Sequence, residues 1–61
     1  MKQITELFLC NKYKMSERPD LQLNKYLENH PQYVVHSISY AINPSPYMKD
    51  SLIVVFDIKD N

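Results

Sequence analysis

Residues 34–42 read VVHSISYAI, and residues 52–58 read LIVVFDI. β-branched and aromatic residues dominate both runs, which is typical of β-strands. The segment between them, 43–51, contains Pro44 and Pro46. Because proline restricts backbone angles, this segment is expected to be a stiff loop. The sequence therefore predicts an antiparallel hairpin, and the rest of the chain is interpreted around it.

Side chains alternate between the two faces of a strand, so the hairpin sequence also predicts which side chains share a face. In the first arm, the bulkier set is expected to meet a helix: Val34, His36, Ile38, Tyr40 and Ile42. The opposite set is smaller and mixed: Tyr33, Val35, Ser37, Ser39 and Ala41. In the second arm, the helix-facing set is Leu52, Val54, Phe56 and Ile58, and the opposite set begins with Ile53, Val55 and Asp57.

A further strand is predicted over residues 3–10. Ile4, Phe8 and Cys10 share one face with Glu6. Thr5, Leu7 and Leu9 share the other face. Both faces are partly apolar, which is typical of a strand covered on both sides.

A helix is predicted over Pro19–Asn29. Its apolar stripe follows the i, i+3, i+4, i+7 spacing: Leu23, Tyr26, Leu27 and His30. Ser16 is one candidate for its N-cap and Arg18 the other. Pro31 prevents continuation, since it biases the residue before it away from helical angles. A helix of about three turns is too short to stand alone, so it is expected to pack on the sheet.

The predicted fold class is α+β, a single small domain over residues 1–61 with the element order β-α-β-β. A right-handed crossover makes the first two strands parallel. The third strand is antiparallel to the second. It can lie between the first two, giving the strand order 1-3-2, or on the outer side of the second, and either order leaves two sheet edges open. One helix then covers one face of a three-stranded sheet.

Composition excludes several classes of function. The chain has seven basic and seven acidic residues and no glycine. Nucleic acid is an unfavoured partner because a neutral chain lacks the basic face that binding needs. Without glycine, the phosphate-cradling loops of nucleotide-binding motifs are excluded. No segment approaches the roughly 18 apolar residues of a membrane span, and no signal peptide is recognised, so a cytoplasmic location is expected.

No residue pattern indicates catalysis. Cys10 is the sole cysteine, which excludes an internal disulfide, and His30 and His36 are too few for a structural zinc site. A cysteine at a strand end is usually a small buried hydrophobe. His30 is expected at the helix end, and His36 on the apolar strand face near Glu6 or Tyr26. We expect neither enzyme activity, nor a metal, nor a cofactor.

Self-association is expected from the size of the core. A chain of 61 residues without disulfide or metal commonly needs oligomerisation for stability. The predicted sheet leaves both edges open and one face without a helix. The residues expected to meet a second copy there are Leu7, Leu9, Val35, Ala41, Ile53 and Val55.

A second set of residues is a candidate contact for a host protein or a nucleotide ligand. Tyrosine is enriched in interfaces, and aromatic rings beside lysines can stack on a base. The candidates are Tyr13, Tyr33, Tyr47, Met48, Lys12 and Lys14. The alternative interpretation is that these tyrosines seal the rim of the core and contacts between subunits.

Residues 20–31, DLQLNKYLENHP, followed by ISYAI at 38–42, give the chain a resemblance to a known family. It resembles the small sigma-E-controlled sporulation proteins of spore-forming bacteria and their phages. The resemblance implies a small cytoplasmic β-α-β-β protein and supplies no catalytic residues. The loop with Pro44 and Pro46 departs from that pattern.

Two functions are therefore expected as alternatives. The first is a small, non-enzymatic, homo-oligomeric interaction protein related to sporulation. The second is a phage-type inhibitor or sponge that binds a host protein or a nucleotide between subunits.

Overall fold

The computed structural model describes residues 2–59. The element order is β1 (Lys2–Cys10), a 3-10 turn (Met15–Glu17), α1 (Pro19–Asn29), β2 (Tyr33–Ala41) and β3 (Asp50–Ile58). The sheet has the order β1-β3-β2, and β3 is antiparallel to both neighbours. The predicted α+β class and the element order are confirmed, and of the two strand orders left open by the sequence, 1-3-2 is the one observed.

α1 has the predicted bounds. Arg18 is the N-cap, without a side-chain cap bond, and forms an ion pair of 3.1 Å with Asp20 in the first turn. The helix ends at Asn29 because Pro31 follows the C-cap residue His30. Among the described residues, α1 is the longest helix, and no helix is long and apolar enough to cross a membrane.

The core lies between α1 and the helix-facing side of the sheet. Val54 and Phe56 are fully buried, and Cys10 and Leu52 nearly so. Partly buried side chains from the other elements pack against them: Ile4, Phe8, Leu23, Tyr26, Leu27, Tyr33 and Val35. The predicted helix stripe and the predicted faces of β1 and β3 are thus those that build the core.

The predicted faces of β2 are wrong along its first part. Val35 pairs with Phe56, but the next pair is Ser37 with Val55, so His36 is an extra residue in a β-bulge. A one-residue insertion inverts the side-chain alternation. Before the bulge, Tyr33 and Val35 face the helix; after it, Ile38 and Tyr40 do, since they pair with Val54 and Leu52. Val34 and His36 therefore lie on the opposite face, and Ile42 lies beyond the strand and is exposed.

The molecule is elongated and thin. Its Cα extents are 43 × 18 × 10 Å, and its radius of gyration is 12.7 Å, against about 10.5 Å for a compact chain of this length. One sheet and one helix make two layers over a narrow core, so few side chains are sealed from water.

Replacing Phe56 with alanine should cost about 3–5 kcal/mol of unfolding free energy, because it empties the centre of this core. That loss is comparable to the whole stability of about 3–9 kcal/mol expected at 0.05–0.15 kcal/mol per residue. The matched control is Ile38→Ala on the neighbouring strand, where the side chain is half exposed and the loss should be about 1 kcal/mol. Urea unfolding measures both, and equal losses would contradict this assignment of the core.

Candidate functional site

The sheet face opposite α1, here called the back face, has no layer over it within the described residues. Strand register places the following side chains on it: Gln3, Thr5, Leu7 and Leu9 from β1; Ser51, Ile53, Val55 and Asp57 from β3; and Val34, Ser37, Ser39 and Ala41 from β2. Its centre is apolar. Leu7 pairs with Ile53, and Leu9 and Ala41 flank Ser51 on either side.

The large apolar side chains of the back face are open to solvent. Leu7 is 58% exposed, Leu9 is 50% exposed and Ile53 is 41% exposed. Adjacent strands lie about 4.8 Å apart, so these side chains form one contiguous patch rather than scattered positions. A contiguous exposed apolar patch is typical of a protein interaction site.

Val35 does not belong to this patch. The structure packs Val35 against the core on the helix-facing side, paired with Phe56. The bulge at His36 is the reason, because it shifts the alternation upstream by one residue. The other predicted self-association residues, Leu7, Leu9, Ala41, Ile53 and Val55, lie together on the back face.

One end of the back face is polar. The Gln3 side-chain amide donates a hydrogen bond of 2.9 Å to Asp57, and His36 Nδ1 lies 3.0 Å from the other carboxylate oxygen of Asp57. The Gln3 bond first, and His36 second, hold the pKa of Asp57 below its ordinary value. The predicted position of His36 near Glu6 or Tyr26 is wrong, since the bulge turns His36 to the back face. Tyr26 instead donates to Glu6 from the helix at 3.1 Å.

The opposite end of the sheet carries a buried carboxylate, Asp50, which is 5% exposed. It accepts hydrogen bonds of 2.8 Å from the Tyr40 hydroxyl and from the Asn43 backbone N–H. Lys12 Nζ lies 3.4 Å from it. The Asn43 bond first, with further contributions from Tyr40 and Lys12, lowers the pKa of Asp50 despite its burial. Asp50 is therefore a carboxylate anion whose hydrogen-bond and ion-pair partners are supplied by the chain itself.

Lys12 joins the two loops at this end of the sheet, residues 11–18 between β1 and α1 and residues 42–49 between β2 and β3. This part of the molecule is here called the loop end. Its ammonium group also donates to the backbone carbonyls of Asn43 and Ser45. Lys49 forms a 3.0 Å ion pair with Glu17, and Lys14 lies 3.7 Å from the same carboxylate. The Lys49 hydrogen bond is the main cause that lowers the pKa of Glu17. The lysines that were candidates for a ligand are thus engaged within the chain.

The predicted contact residues divide between the two ends. Tyr13 is 79% exposed and Tyr47 is 95% exposed, and Met48 is also exposed. All three lie on the loops that Lys12 joins. Tyr33 is wrong as an exposed contact residue, because its ring packs in the core 5.6 Å from the Phe56 ring and 4.7 Å from the His30 ring. It begins β2, at the far end of the sheet from the loops.

Cys10 is poorly suited to nucleophilic chemistry. It is 2% exposed, and burial first, with the negative charges of Asp50 and Glu17, raises the pKa of its thiol. The thiolate is the reactive form, so a raised pKa lowers reactivity. Within residues 2–59, no three side chains of His, Cys, Asp or Glu are grouped to hold a metal ion.

Sequence reasoning missed the role of Asp50 and Lys12. Asp50 pairs with Cys10 at the end of the β1–β3 ladder, which brings Lys12 beside it. The only signal in the sequence is a pair of opposite charges, each placed at the end of a strand. That signal has meaning only once the register between β1 and β3 is known.

Comparison of the chain with protein-family models, with curated proteins and with solved structures finds no match.

Replacing Asp50 with asparagine should destabilise the protein at pH 7 and much less at pH 3. The pKa of Asp50 is lowered in the folded state from 3.8, so its carboxylate stabilises the fold above pH 3.8 and this contribution is lost as pH falls through the folded pKa. Urea midpoints for both proteins between about pH 3 and 7 measure the difference.

The matched control is Asp20→Asn, at an exposed ion pair, which should change the midpoint little at any of these pH values. A constant difference between Asp50→Asn and the parent protein over the whole pH range would contradict the assigned charge of Asp50.

Proposed function

We propose that the protein is a non-enzymatic, homo-oligomeric interaction protein whose back face binds the back face of a second copy. The observation that carries the proposal is the open apolar patch of Leu7, Leu9 and Ile53 on a two-layer protein. Polar side chains surround the patch. At one end they are Asp57 and its two partners, Gln3 and His36. An apolar centre with a polar rim is the common anatomy of a protein interface.

The surface area of the chain supports the same proposal. Its accessible surface is 4643 Å², whereas a folded monomer of 7.3 kDa is expected to expose about 4,200 Å². The excess of roughly 450 Å² is close to the roughly 400 Å² that a three-stranded sheet of this length presents on one face. Covering the back face with a second copy would return the chain to an ordinary exposure.

A second copy is the favoured occupant because the patch is flat and self-complementary in chemistry. Two such faces can pack aligned at about 10 Å, as sheets do in β-sandwiches. Charges lie at the ends of the strands and not in the centre, so stacking places no like charges together in the patch. A role in sporulation follows from the sequence resemblance alone, and no contact described above bears on it.

Replacing Ile53 with lysine should separate the copies, because it places a charge at the centre of the patch. Size-exclusion chromatography with light scattering at micromolar concentration should give the parent protein a multiple of 7.3 kDa and the variant a smaller mass. Asn24→Lys, on an exposed helix position, is the matched control and should keep the parent mass. A parent protein of 7.3 kDa would refute self-association.

The second candidate function is binding of a host protein by the loop end, as an inhibitor would bind. The supporting observation is the exposure of Tyr13, Tyr47 and Met48 on loops that Lys12 and Asp50 hold in place. Exposed aromatic side chains on a fixed loop lose little entropy on binding. A protein target is favoured over a nucleotide because each nearby lysine already lies within 4 Å of a carboxylate, Lys12 with Asp50 and both Lys14 and Lys49 with Glu17.

A thermal-shift series with mono-, di- and cyclic nucleotides distinguishes these two ligands. We expect no rise in melting temperature with any nucleotide, because the described lysines at the loop end, Lys12, Lys14 and Lys49, each have a carboxylate within 4 Å. A rise that is lost in Tyr47→Ala but kept in Asn24→Ala, on the exposed helix, would show that the loop end binds a nucleotide and not a protein.

A further inference from the structure

The outer edge of β1 carries backbone groups that none of the described strands pairs. The N–H of Lys59 donates to the carbonyl of Gln32 at 2.9 Å, so these two residues form a hydrogen-bonded pair. Such pairs recur at every second residue of an antiparallel ladder, so Val34 and Asp57 also form one. Backbone groups of successive residues in a strand point to opposite sides. The backbone groups of Asp57 point to β2, so those of Phe56 point to β1. The same holds for every second residue before it, Val54 and Leu52.

It follows that the even-numbered residues of β1 bond to β3 and the odd-numbered residues point outward. The outward residues are Gln3, Thr5, Leu7 and Leu9. The Leu9 carbonyl already accepts a hydrogen bond of 2.9 Å from the Gln22 side chain of α1. Gln3, Thr5 and Leu7 are left as a run of open donors and acceptors.

This edge lacks two of the usual protective features, a bulge and a proline, although Lys2 and Glu6 are charged and Gln22 of α1 covers the Leu9 carbonyl. The β1–β3 register runs without interruption from Lys2 with Ile58 to Cys10 with Asp50, and β1 contains no proline. The other outer strand, β2, is interrupted by the bulge at His36. Bulges and prolines are among the devices that keep edge strands from pairing. The regular edge of β1 is therefore the one suited to pairing.

We propose that two copies of the chain pair antiparallel through β1, about a two-fold axis that passes through Thr5. This inference rests on the proposed self-association and adds a second contact to it. Thr5 then pairs with Thr5 of the second copy, and Gln3 with Leu7 in both directions. Every open outward residue of both edges is used, and a six-stranded sheet results with both helices on one side.

Other two-fold registers are worse. An axis at Glu6 places two glutamates directly opposite each other, which is destabilising. An axis at Leu7 needs the Leu9 carbonyl that Gln22 occupies, and it places Lys2 opposite Lys12. An axis at Ile4 pairs only Gln3 with Thr5 among the outward residues that the structure describes, and it leaves Leu7 outside those pairs.

Side chains on the helix-facing side complement this register. Lys2 lies opposite Phe8 of the second copy and diagonal to its Glu6, within reach of a long side chain. Phe8 forms one wall of an open groove of about 260 Å³ that Gln22, Lys25, Tyr26 and Asn29 also line. The methylene stem of Lys2 can cover the groove beside Phe8 of the second copy, while its ammonium group reaches the Glu6 carboxylate of that copy.

The area of the back face is a further reason for the pairing. A three-stranded face of roughly 400 Å² is about half of the 800 Å² that each partner contributes to a standard interface. Edge pairing joins two back faces into one of roughly 800 Å². Two such pairs stacked back to back would form a tetramer with interfaces of ordinary size.

Cysteine cross-linking tests the register. In a Cys10→Ala, Ile53→Lys background, in which the back faces are not expected to stack, Thr5→Cys places two thiols at the axis. The expected Cα separation of about 5.5 Å in a hydrogen-bonded pair is within the range of a disulfide. Under mild oxidation, a covalent dimer should form at least about ten times faster than for Asn24→Cys on the exposed helix or for Leu7→Cys on the same strand. Equal rates, or a faster reaction of Leu7→Cys, would overturn the register.

A second variant, Thr5→Pro, tests the contact without a new bond. The N–H of Thr5 points outward, so proline removes a donor from the edge and none from the β1–β3 ladder. The variant should keep the circular dichroism of the parent protein and have half its mass by light scattering. If folded Thr5→Pro keeps the mass of the parent protein while Ile53→Lys has a lower mass, the edge contact alone is overturned. A monomeric parent protein would overturn the back-face contact as well.

Discussion

Pairing of β3 on both sides is the interaction on which the rest of the structure depends. β3 is the only strand with two neighbours among the described elements, and it supplies Val54 and Phe56, the two most buried large side chains. β1 and β2 do not touch each other as strands, and α1 packs against what β3 has already brought together. The last of the described strands thus completes the sheet, which makes most of the stabilising contacts distant in sequence.

This dependence explains what the sequence could and could not predict. Pro19 and Pro31 bracket α1, so its bounds are local information. The faces of β1 and β3 follow from alternation because their register is continuous. The face of β2 does not, because Tyr33, Val34 and Val35 are all apolar and fit either face, and no glycine or proline marks the extra residue at His36. Only the pairing with β3 reveals the bulge.

The candidate site divides in the same way. Leu7, Leu9 and Ile53 could be assigned to one face from strand periodicity, whereas Val35 and Tyr33 were misplaced by the bulge. The Lys12–Asp50 pair depends on register and on a loop path that no periodicity encodes. The exposure of Tyr13 and Tyr47 could be predicted from the sequence. The pairing of the neighbouring lysines with carboxylates could not. The identity of a partner depends on shape and charge in three dimensions, for which the chain offers no diagnostic motif.

In the proposed assembly of copies paired through β1, the bulge at His36 also limits how far the joined sheet can grow. A two-fold contact through β1 uses the same edge of both copies and leaves only the two β2 edges at the ends of the joined sheet. A β-bulge bends and twists a strand, so those ends present a broken row of donors and acceptors to any further chain. Addition of copies without end, as in a fibril, needs two unbroken edges on each unit. One irregular residue on β2 thus makes the difference between an assembly that closes and one that polymerises.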